Sequence, residues 1–448
     1  MISLVSFLFF VIGLFSYFLN KTKHLSLIII CILSSSYFGL ESGFFLIGNM
    51  SLQHGDLALL LIFILIPFRI KVNSKQAKEI KIALSIFLIF LAVSILYDYT
   101  YRGTSLMQIF RTTRNLGYLS FLFLIGSFKS QHYQKLFKFL ITITVLHSFF
   151  YISQYIFGYS YTSYLDSLKV VTENESGGMR YTNGPTYLIP IMVLVTYIIK
   201  NRKVKFLLLT LFLITIILGQ SRGAIISVFS ILFVYIVLNK KLNFSTFIIL
   251  PAAVLIIYFL LLNLFPIIEE RFGALFDEIE FVDKLDFNSL EYFTQGGSFT
   301  FRLGLTSERF MYVMDDWIRM LLGVGFVPDI DITEPIFVLG TNSPMLPTGF
   351  EQYNSIDIFF PNIFTRYGFV GSAIYIYFII SIIRYSYKNR MLVYGKILLT
   401  YLISLIVISF INETFYNGKY FIILFILAQL VIYEENFKSV QTKFNKKL

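Results

Sequence analysis

The 448-residue chain has one cysteine, one tryptophan and four histidines, and charged residues make up only 14% of it. One cysteine excludes an intrachain disulfide, a cysteine zinc cluster and a thiol redox pair, and Cys31 sits inside an apolar run where packing accounts for it. The histidines, His24, His54, His132 and His147, show no metal-ligand spacing, and there is no phosphate-binding Gly-rich loop with Lys and no GxSxG elbow. Soluble chains carry about 25% charged residues. With 56% hydrophobic residues and a mean hydropathy of +0.74, the bilayer must be the solvent for most of this chain. The net charge of +11 lies in short clusters between apolar runs and forms no contiguous basic face, which argues against nucleic acid and for membrane topology.

Apolar runs near 2–19, 25–40, 56–69, 82–99, 106–126, 138–158, 186–199, 205–220, 223–238, 244–266, 360–383, 396–411 and 419–434 predict an all-α polytopic membrane protein. The count is about 12–13 transmembrane helices, depending on whether the short run 56–69 crosses the roughly 30 Å of hydrocarbon. The first run lacks a basic leader and a small-residue cleavage site, so it reads as a retained helix.

Positive clusters fall between alternate runs. Examples are Arg69, Lys71, Lys75, Lys78 and Lys81; Lys200, Arg202, Lys203 and Lys205; and Lys438, Lys443, Lys446 and Lys447. The positive-inside rule puts them, and the C-terminus, in the cytoplasm. The expected organisation is 1–266 as transmembrane helices with short loops, 267–355 as a long extracytoplasmic loop, 356–434 as C-terminal transmembrane helices and 435–448 as a basic cytoplasmic tail.

The long loop carries fifteen carboxylates against five basic residues between Ile267 and Ser355. Within it, Phe310, Val313, Met314, Trp317 and Leu321 have helical spacing, predicting an amphipathic helix near Ser307–Leu322 that docks the loop on the bundle. Loops longer than about 15 residues in compact proteins are commonly functional.

Lysine dominates the cytoplasmic clusters, whereas the other side uses mostly arginine: Arg102, Arg111, Arg114, Arg180, Arg222, Arg302, Arg309, Arg319 and Arg366. A guanidinium grips phosphate oxygens with a planar fork and stays charged, so this set fits an anionic ligand at the outer leaflet. Pairing with the outer carboxylates is the alternative for each. Arg111 and Arg114 share a helix face and sit roughly 9–14 Å into the run beginning at Leu106. A charge there costs about 2.5–3.5 kcal/mol unless it meets a polar cavity or partner, or snorkels to the interface. Arg222 lies in Gly219-Gln220-Ser221-Arg222-Gly223-Ala224, a tight turn whose small residues let a ligand approach. Asp357, at the junction of the acidic loop with the run beginning at Phe359, is the carboxylate most exposed to partial burial; a helix N-terminal role is the alternative.

Together these residues resemble the O-antigen ligase and O-antigen polymerase superfamily. Ser221-Arg222-Gly223-Ala224 resembles its signature, and Arg180-Tyr181-Thr182-Asn183-Gly184-Pro185 resembles its Arg, Gly and Asn-Pro stretch. Arg302, Trp317 and Leu321-Leu322-Gly323-Val324-Gly325-Phe326 resemble its Arg, Trp and LLGxG run, at slightly longer spacing. Asp357 followed by Gly368 and Gly371 resembles the closing run, in which ligases carry His-Asn before Gly-x-x-Gly.

The resemblance implies a metal-independent, cofactor-free integral-membrane glycosyltransferase of the bacterial inner membrane. Its donor and acceptor would be oligosaccharides linked to undecaprenyl diphosphate. Arg222 would hold the donor diphosphate with Arg180 and Arg302 as helpers, and Arg111, Arg114 and Arg309 are further candidate diphosphate contacts. Catalysis would rest on Arg222, Arg302 and Asp357 as base, with Glu351, Asp315 and Asp316 as substitutes. The missing His-Asn favours repeat-unit polymerase over ligase. A lipid-linked oligosaccharide flippase is a further alternative, although no internal repeat relates two halves of the chain. A separate chain-length regulator is an implied partner; nucleic acid is not.

Overall fold

A computed structural model describes residues 2–35, 37, 44–47, 50–69, 78–159, 171–173, 179–181, 184–219, 222–239, 297–339, 341–342, 349–352, 359–410, 415 and 417–445. The helices are α1 (Ile2–Phe18), α2 (Lys23–Leu33), α3 (His54–Leu65), α4 (Lys78–Thr100), α5 (Leu106–Gly117), α6 (Phe121–Leu124), α7 (Ser130–Phe157), α8 (Leu188–Ile198), α9 (Arg202–Leu218), α10 (Arg222–Leu238), α11 (Gly297–Met314), α12 (Trp317–Leu322), α13 (Phe359–Lys388), α14 (Val393–Ser409) and α15 (Lys419–Asn445). Among the described residues, strands form three two-stranded antiparallel hairpins, β1 (Phe44–Ile47) with β2 (Met50–Gln53), β3 (Val171–Glu173) with β4 (Met179–Tyr181), and β5 (Thr341–Asn342) with β6 (Phe350–Glu351). The protein is an all-α polytopic membrane protein. Among the described residues, α4, α7, α13 and residues 419–437 of α15 are long and apolar enough to cross a membrane, and six shorter apolar helices accompany them.

The core is built where helices with apolar residues on every side meet. Helix α15 is buried along Phe421–Ile432, and α13 and α14 bury Tyr375, Phe378, Tyr401 and Leu402 beside it. A helix that is apolar all round is a core or membrane element. Helix α13 packs on α4, α11, α12 and α14; α10 packs on α14, α8 and α9. The expected run 244–266 and residues 267–296 of the long loop lie outside the described residues.

Two expected elements differ in form. The run 106–126 is one continuous span only in composition: α5 ends at Gly117 and is followed by 3-10 turns at Tyr118–Ser120 and Ile125–Ser127 around the four-residue α6. Gln108, Arg111, Thr112, Thr113, Arg114 and Asn115 give α5 a polar face, so it buries only Ile109, Thr112 and Leu116. The loop helix begins ten residues earlier than expected, at Gly297, and breaks at Asp315–Asp316. There the Asp316 carboxylate takes the N-cap of α12, accepting from the N–H groups of Ile318 at 2.7 Å and Arg319 at 2.9 Å. Val313 is the one member of the expected apolar stripe that is buried; Phe310, Met314, Trp317 and Leu321 stay exposed.

Candidate functional site where the long loop meets α13

The turn after α12 reads Gly323-Val324-Gly325-Phe326, and its two glycines have φ of 71° and 85°. Residues with a Cβ are strained there. The neighbours add a second reason: a Cβ on Gly323 would strike the Arg366 carbonyl, and one on Gly325 would strike the Asp98 carboxylate. Opposite, α13 is interrupted at Gly368 (φ 62°, ψ −166°), where a Cβ would strike the Leu321 main chain. The LLGxG turn and the Gly-x-x-Gly run are thus two halves of one close backbone contact. Val324 N donates to Thr365 O at 2.8 Å and Gly325 N to Arg366 O at 3.3 Å across it.

Charged side chains fasten this contact. Asp98, 1% exposed near the end of α4, accepts the Phe326 N–H at 2.6 Å and pairs with Arg102 Nη1 at 2.9 Å. Arg102 Nη2 donates to Gly323 O at 2.8 Å, and the Thr112 hydroxyl of α5 donates to Phe326 O at 3.1 Å. Fully buried Arg366 donates from Nη1 to Val327 O at 3.0 Å and Gly325 O at 3.3 Å, with Asp329 Oδ2 3.8 Å from Nη2. The two arginines therefore solvate main-chain carbonyls of a turn that has left regular structure.

A second buried arginine organises the rest of the loop. Arg309 of α11 is 0% exposed; its Nη2 donates to Gln352 O at 2.8 Å and Leu339 O at 3.0 Å, and its guanidinium lies over Phe337. Glu308 accepts the N–H groups of Val338 at 2.6 Å and Leu339 at 3.1–3.2 Å. The Gln352 side-chain oxygen accepts from the main-chain N–H groups of Phe337 and Ile336, and the Gln352 main-chain N–H donates to Asp329 Oδ1 at 2.6 Å. Burial pulls the Arg309 pKa down to about 10, so it stays charged at neutral pH, and burial raises the Glu308 carboxyl. The Arg309 donors face carbonyls and a carboxylate, which makes this candidate diphosphate contact the clasp of the loop.

The other arginines divide by position. Arg302, half-buried on α11, keeps a buried Nε with no hydrogen-bond partner. Arg111 is exposed on α5, and Arg114 lies 3.5 Å from the buried Asp56 of α3, so the pair does not share one cavity. Arg319 covers the Tyr312 ring and lies 3.4 Å from Asp315. Arg222 is the first residue of α10 and Arg180 the middle residue of β4, opposite Thr172.

These last two segments meet at residues that composition and motif reading pass over, Tyr151 and Tyr155 of α7. The Tyr151 hydroxyl donates to Tyr181 O at 2.7 Å; that of Tyr155 accepts from Tyr181 N at 3.2 Å and donates to Leu218 O at the end of α9. One turn of α7 thereby ties β4 to the end of α9, four residues before Arg222. Two tyrosines four apart are a signal, but an apolar run so rich in aromatics masks it.

Among carboxylate candidates, Asp357 lies outside the described residues, and so does the side chain of Glu351. Asp315 is exposed. Hydrogen bonds from the Arg319 and Ile318 N–H groups hold the Asp316 carboxyl below its usual value, which makes it a weak base. Among the described residues no group of three or more His, Cys, Asp or Glu side chains is placed to hold a metal ion.

The site thus belongs to a helical membrane protein in which the turn after α12 is clamped onto α13 where that helix is broken at Gly368. Residues 206–376 match the family model described as O-antigen ligase, so over this segment the chain is similar to that family. The matched segment contains Arg222, Arg302, the Gly323–Phe326 turn and Gly368. No curated protein matches the chain.

Proposed function

We propose that this protein is a polysaccharide repeat-unit polymerase of the bacterial inner membrane, with its C-terminus in the cytoplasm. It would transfer a growing glycan from undecaprenyl diphosphate to a lipid-linked repeat unit at the outer face. The observation that carries this reading is the family match over 206–376, which contains both Arg222 and Arg302, the latter with a buried Nε that has no hydrogen-bond partner. An acceptor hydroxyl oxygen attacks the anomeric carbon and forms the new C–O bond. The bond from that carbon to the diphosphate oxygen breaks, and its electron pair leaves on the diphosphate. Fixed guanidinium charge stabilises that developing negative charge. The hydroxyl proton passes to a carboxylate, for which Asp357 stands in the family's base position.

Polymerase is favoured over ligase by histidine placement: all four histidines precede residue 206, so none lies in the matched segment where ligases carry theirs. Purified protein in nanodiscs, given undecaprenyl-diphosphate repeat units and a chelator, should build a ladder of longer glycans. Arg222→Ala should abolish the ladder while leaving the thermal melt intact. Elongation at the wild-type rate by Arg222→Ala refutes the diphosphate role. Transfer to a lipid A core acceptor with no ladder identifies a ligase instead.

A further inference from the structure

Far from the Gly323 turn, the start of α2 lies against the start of α7. The two helices run side by side in one direction: His24 and His132 stack at 6.4 Å near their first residues, and Tyr37, beyond the end of α2, shares a 2.6 Å hydrogen bond with Thr144 well along α7. Each helix start carries roughly half a positive charge, and its first N–H groups have no partner within the helix. The Thr22 side chain does not cap α2, since its hydroxyl turns back to Leu19 O. This is the end of the bundle opposite the loop clamp. Tyr17 of α1 reaches Phe68 O here, Arg69 follows within electrostatic reach of Lys81 on α4, and Asp98 lies roughly 25 Å further along α4.

Side chains add to the charge of the helix starts. Lys23, the first residue of α2, is only 6% exposed, with its ammonium 4.0 Å from the centre of the Tyr17 ring and 5.6 Å from that of Phe128. Among the described residues it has neither a carboxylate nor a hydrogen-bond acceptor as partner. The rings supply a cation–π contact, but a buried ammonium with no anion has given up most of its hydration for little return. Lys129 acts on it electrostatically, and Lys23, Lys129 and Lys135 all act on His132. His132 Nδ1 accepts the Lys129 N–H at 3.2 Å, which leaves the proton of the neutral ring on Nε2 as a further donor. No carboxylate is among the groups that act on Lys23, His24 or His132. Helix α15 touches this corner through Tyr433, whose hydroxyl donates to Phe128 O at 2.6 Å, but its Glu434 accepts the Val393 and Tyr394 N–H groups and its Glu435 faces Tyr385.

The edge of the corner is apolar. Phe18, Leu19 and Phe68 are exposed there, and the Phe18 and Phe68 rings meet edge-on at 5.3 Å. An anion held by Lys23 stands beside a surface that suits acyl chains. A free phosphate or an acidic peptide would leave that surface uncovered, whereas a lipid engages both parts. We propose that the α1–α2 turn and the start of α7 bind the phosphodiester head of an anionic bilayer lipid, with Lys23 as its anchor and Lys129 and Lys135 around it. Two helix starts aimed at one anion strengthen such a site. The lipid would bridge α1, α2 and α7, which share no ion pair among the described residues. The site lies on other elements than those that carry Arg222 and Arg302, and it does not rest on the polymerase reading.

The test is photolabelling of the full chain in phosphatidylcholine nanodiscs with a trace of phosphatidylglycerol bearing a diazirine on the head-proximal part of one acyl chain. Labelled peptides are mapped by mass spectrometry. Label is expected within 15–24 and 127–135. Lys23→Met, which keeps the packing and removes the charge, should reduce it at least about fivefold, the factor that one basic residue contributes at a membrane surface. If Lys23→Met fails to fold, Lys129→Gln with Lys135→Gln, both at exposed positions, should give a similar loss. Lys200→Gln with Lys203→Gln removes two charges from another lysine cluster and should leave this labelling unchanged. An equal loss in that control variant, label indifferent to Lys23→Met, or displacement by excess phosphatidylcholine as effective as by phosphatidylglycerol overturns the proposal. Displacement by millimolar inorganic phosphate identifies a site for the free anion and overturns the lipid.

Discussion

Asp98→Ala is the sharpest perturbation of the loop clamp. The carboxylate makes a charge-assisted hydrogen bond to the Phe326 N–H at 2.6 Å and an ion pair with Arg102 at 2.9 Å. A hydrogen bond to a charged group is worth about 1.5–3 kcal/mol. Removing one partner of a buried ion pair costs about 3–5 kcal/mol. Arg102 is 23% exposed and can reach water, so the lower end applies to the pair, and its bond to Gly323 O persists. The loop contact should weaken by about 3 kcal/mol, which is roughly a hundredfold increase in the population of the opened loop. The helical core does not use these bonds, so opening is local.

The chain supplies its own reporter, because its single tryptophan, Trp317, sits on α12 directly before the clamped turn. Limited proteolysis between residues 315 and 352 should accelerate accordingly, and Trp317 emission should shift relative to wild type, with the far-ultraviolet helical signal unchanged. Asp98→Asn keeps an oxygen for the Phe326 N–H and should recover about half of the loss. Equal protease resistance of wild type and Asp98→Ala would refute the clamp. An Asn variant as weak as the Ala variant would show that charge, rather than the acceptor oxygen, holds the turn.

Gly323→Ala combines φ of 71° with a collision against the Arg366 carbonyl, and should cost about 1–3 kcal/mol or more, measured as a lowered melting temperature. Gly103→Ala, at φ 68° but with nothing within 4 Å, isolates the backbone component and should cost less. Arg309→Lys removes the fork that reaches both Leu339 O and Gln352 O and should cost about 2–3 kcal/mol, seen as faster cleavage within 327–352. The Glu308 carboxyl is raised above its ordinary 4.5, so the folded loop binds that proton more tightly than the unfolded chain does. Its contribution to loop stability therefore falls as pH rises from the ordinary value through the raised one, then levels off. A Glu308→Gln variant should lose that pH dependence in a proteolysis series from pH 4 to about 7.

Much of the architecture follows from composition, because 14% charge leaves a chain no other solvent than lipid, and runs such as 82–99 and 419–434 emerge as α4 and α15. Helix breaks were harder to anticipate. The Tyr118–Ser127 turns and the Asp315–Asp316 break replace helical bonds with 3-10 bonds and a side-chain cap, which periodicity does not record. Motif glycines could be picked out but not explained: Gly323 and Gly325 matter because Asp98, Arg102 and Arg366 crowd them, and Asp98 is 228 residues from its partner Phe326. For the same reason Arg309 reads like any other outer arginine until its carbonyl partners, 30 and 43 residues away, are in place. Tyr151 and Tyr155 carry no sequence signal because tyrosine in an apolar run is ordinary; only their hydroxyl partners in β4 and α9 distinguish them.

The mutual fit of Gly323 and Gly368 limits how such proteins can be recombined. Each glycine leaves room for the other's main chain, so a loop transplanted from a relative arrives without its counterpart unless the first half of α13 travels with it. The workable exchange unit runs from α11 through at least Gly371, including the segment that links them. Chimaeras cut immediately before Phe359, which separates the two glycines, should express poorly, whereas cuts placed after Gly371 should yield folded protein.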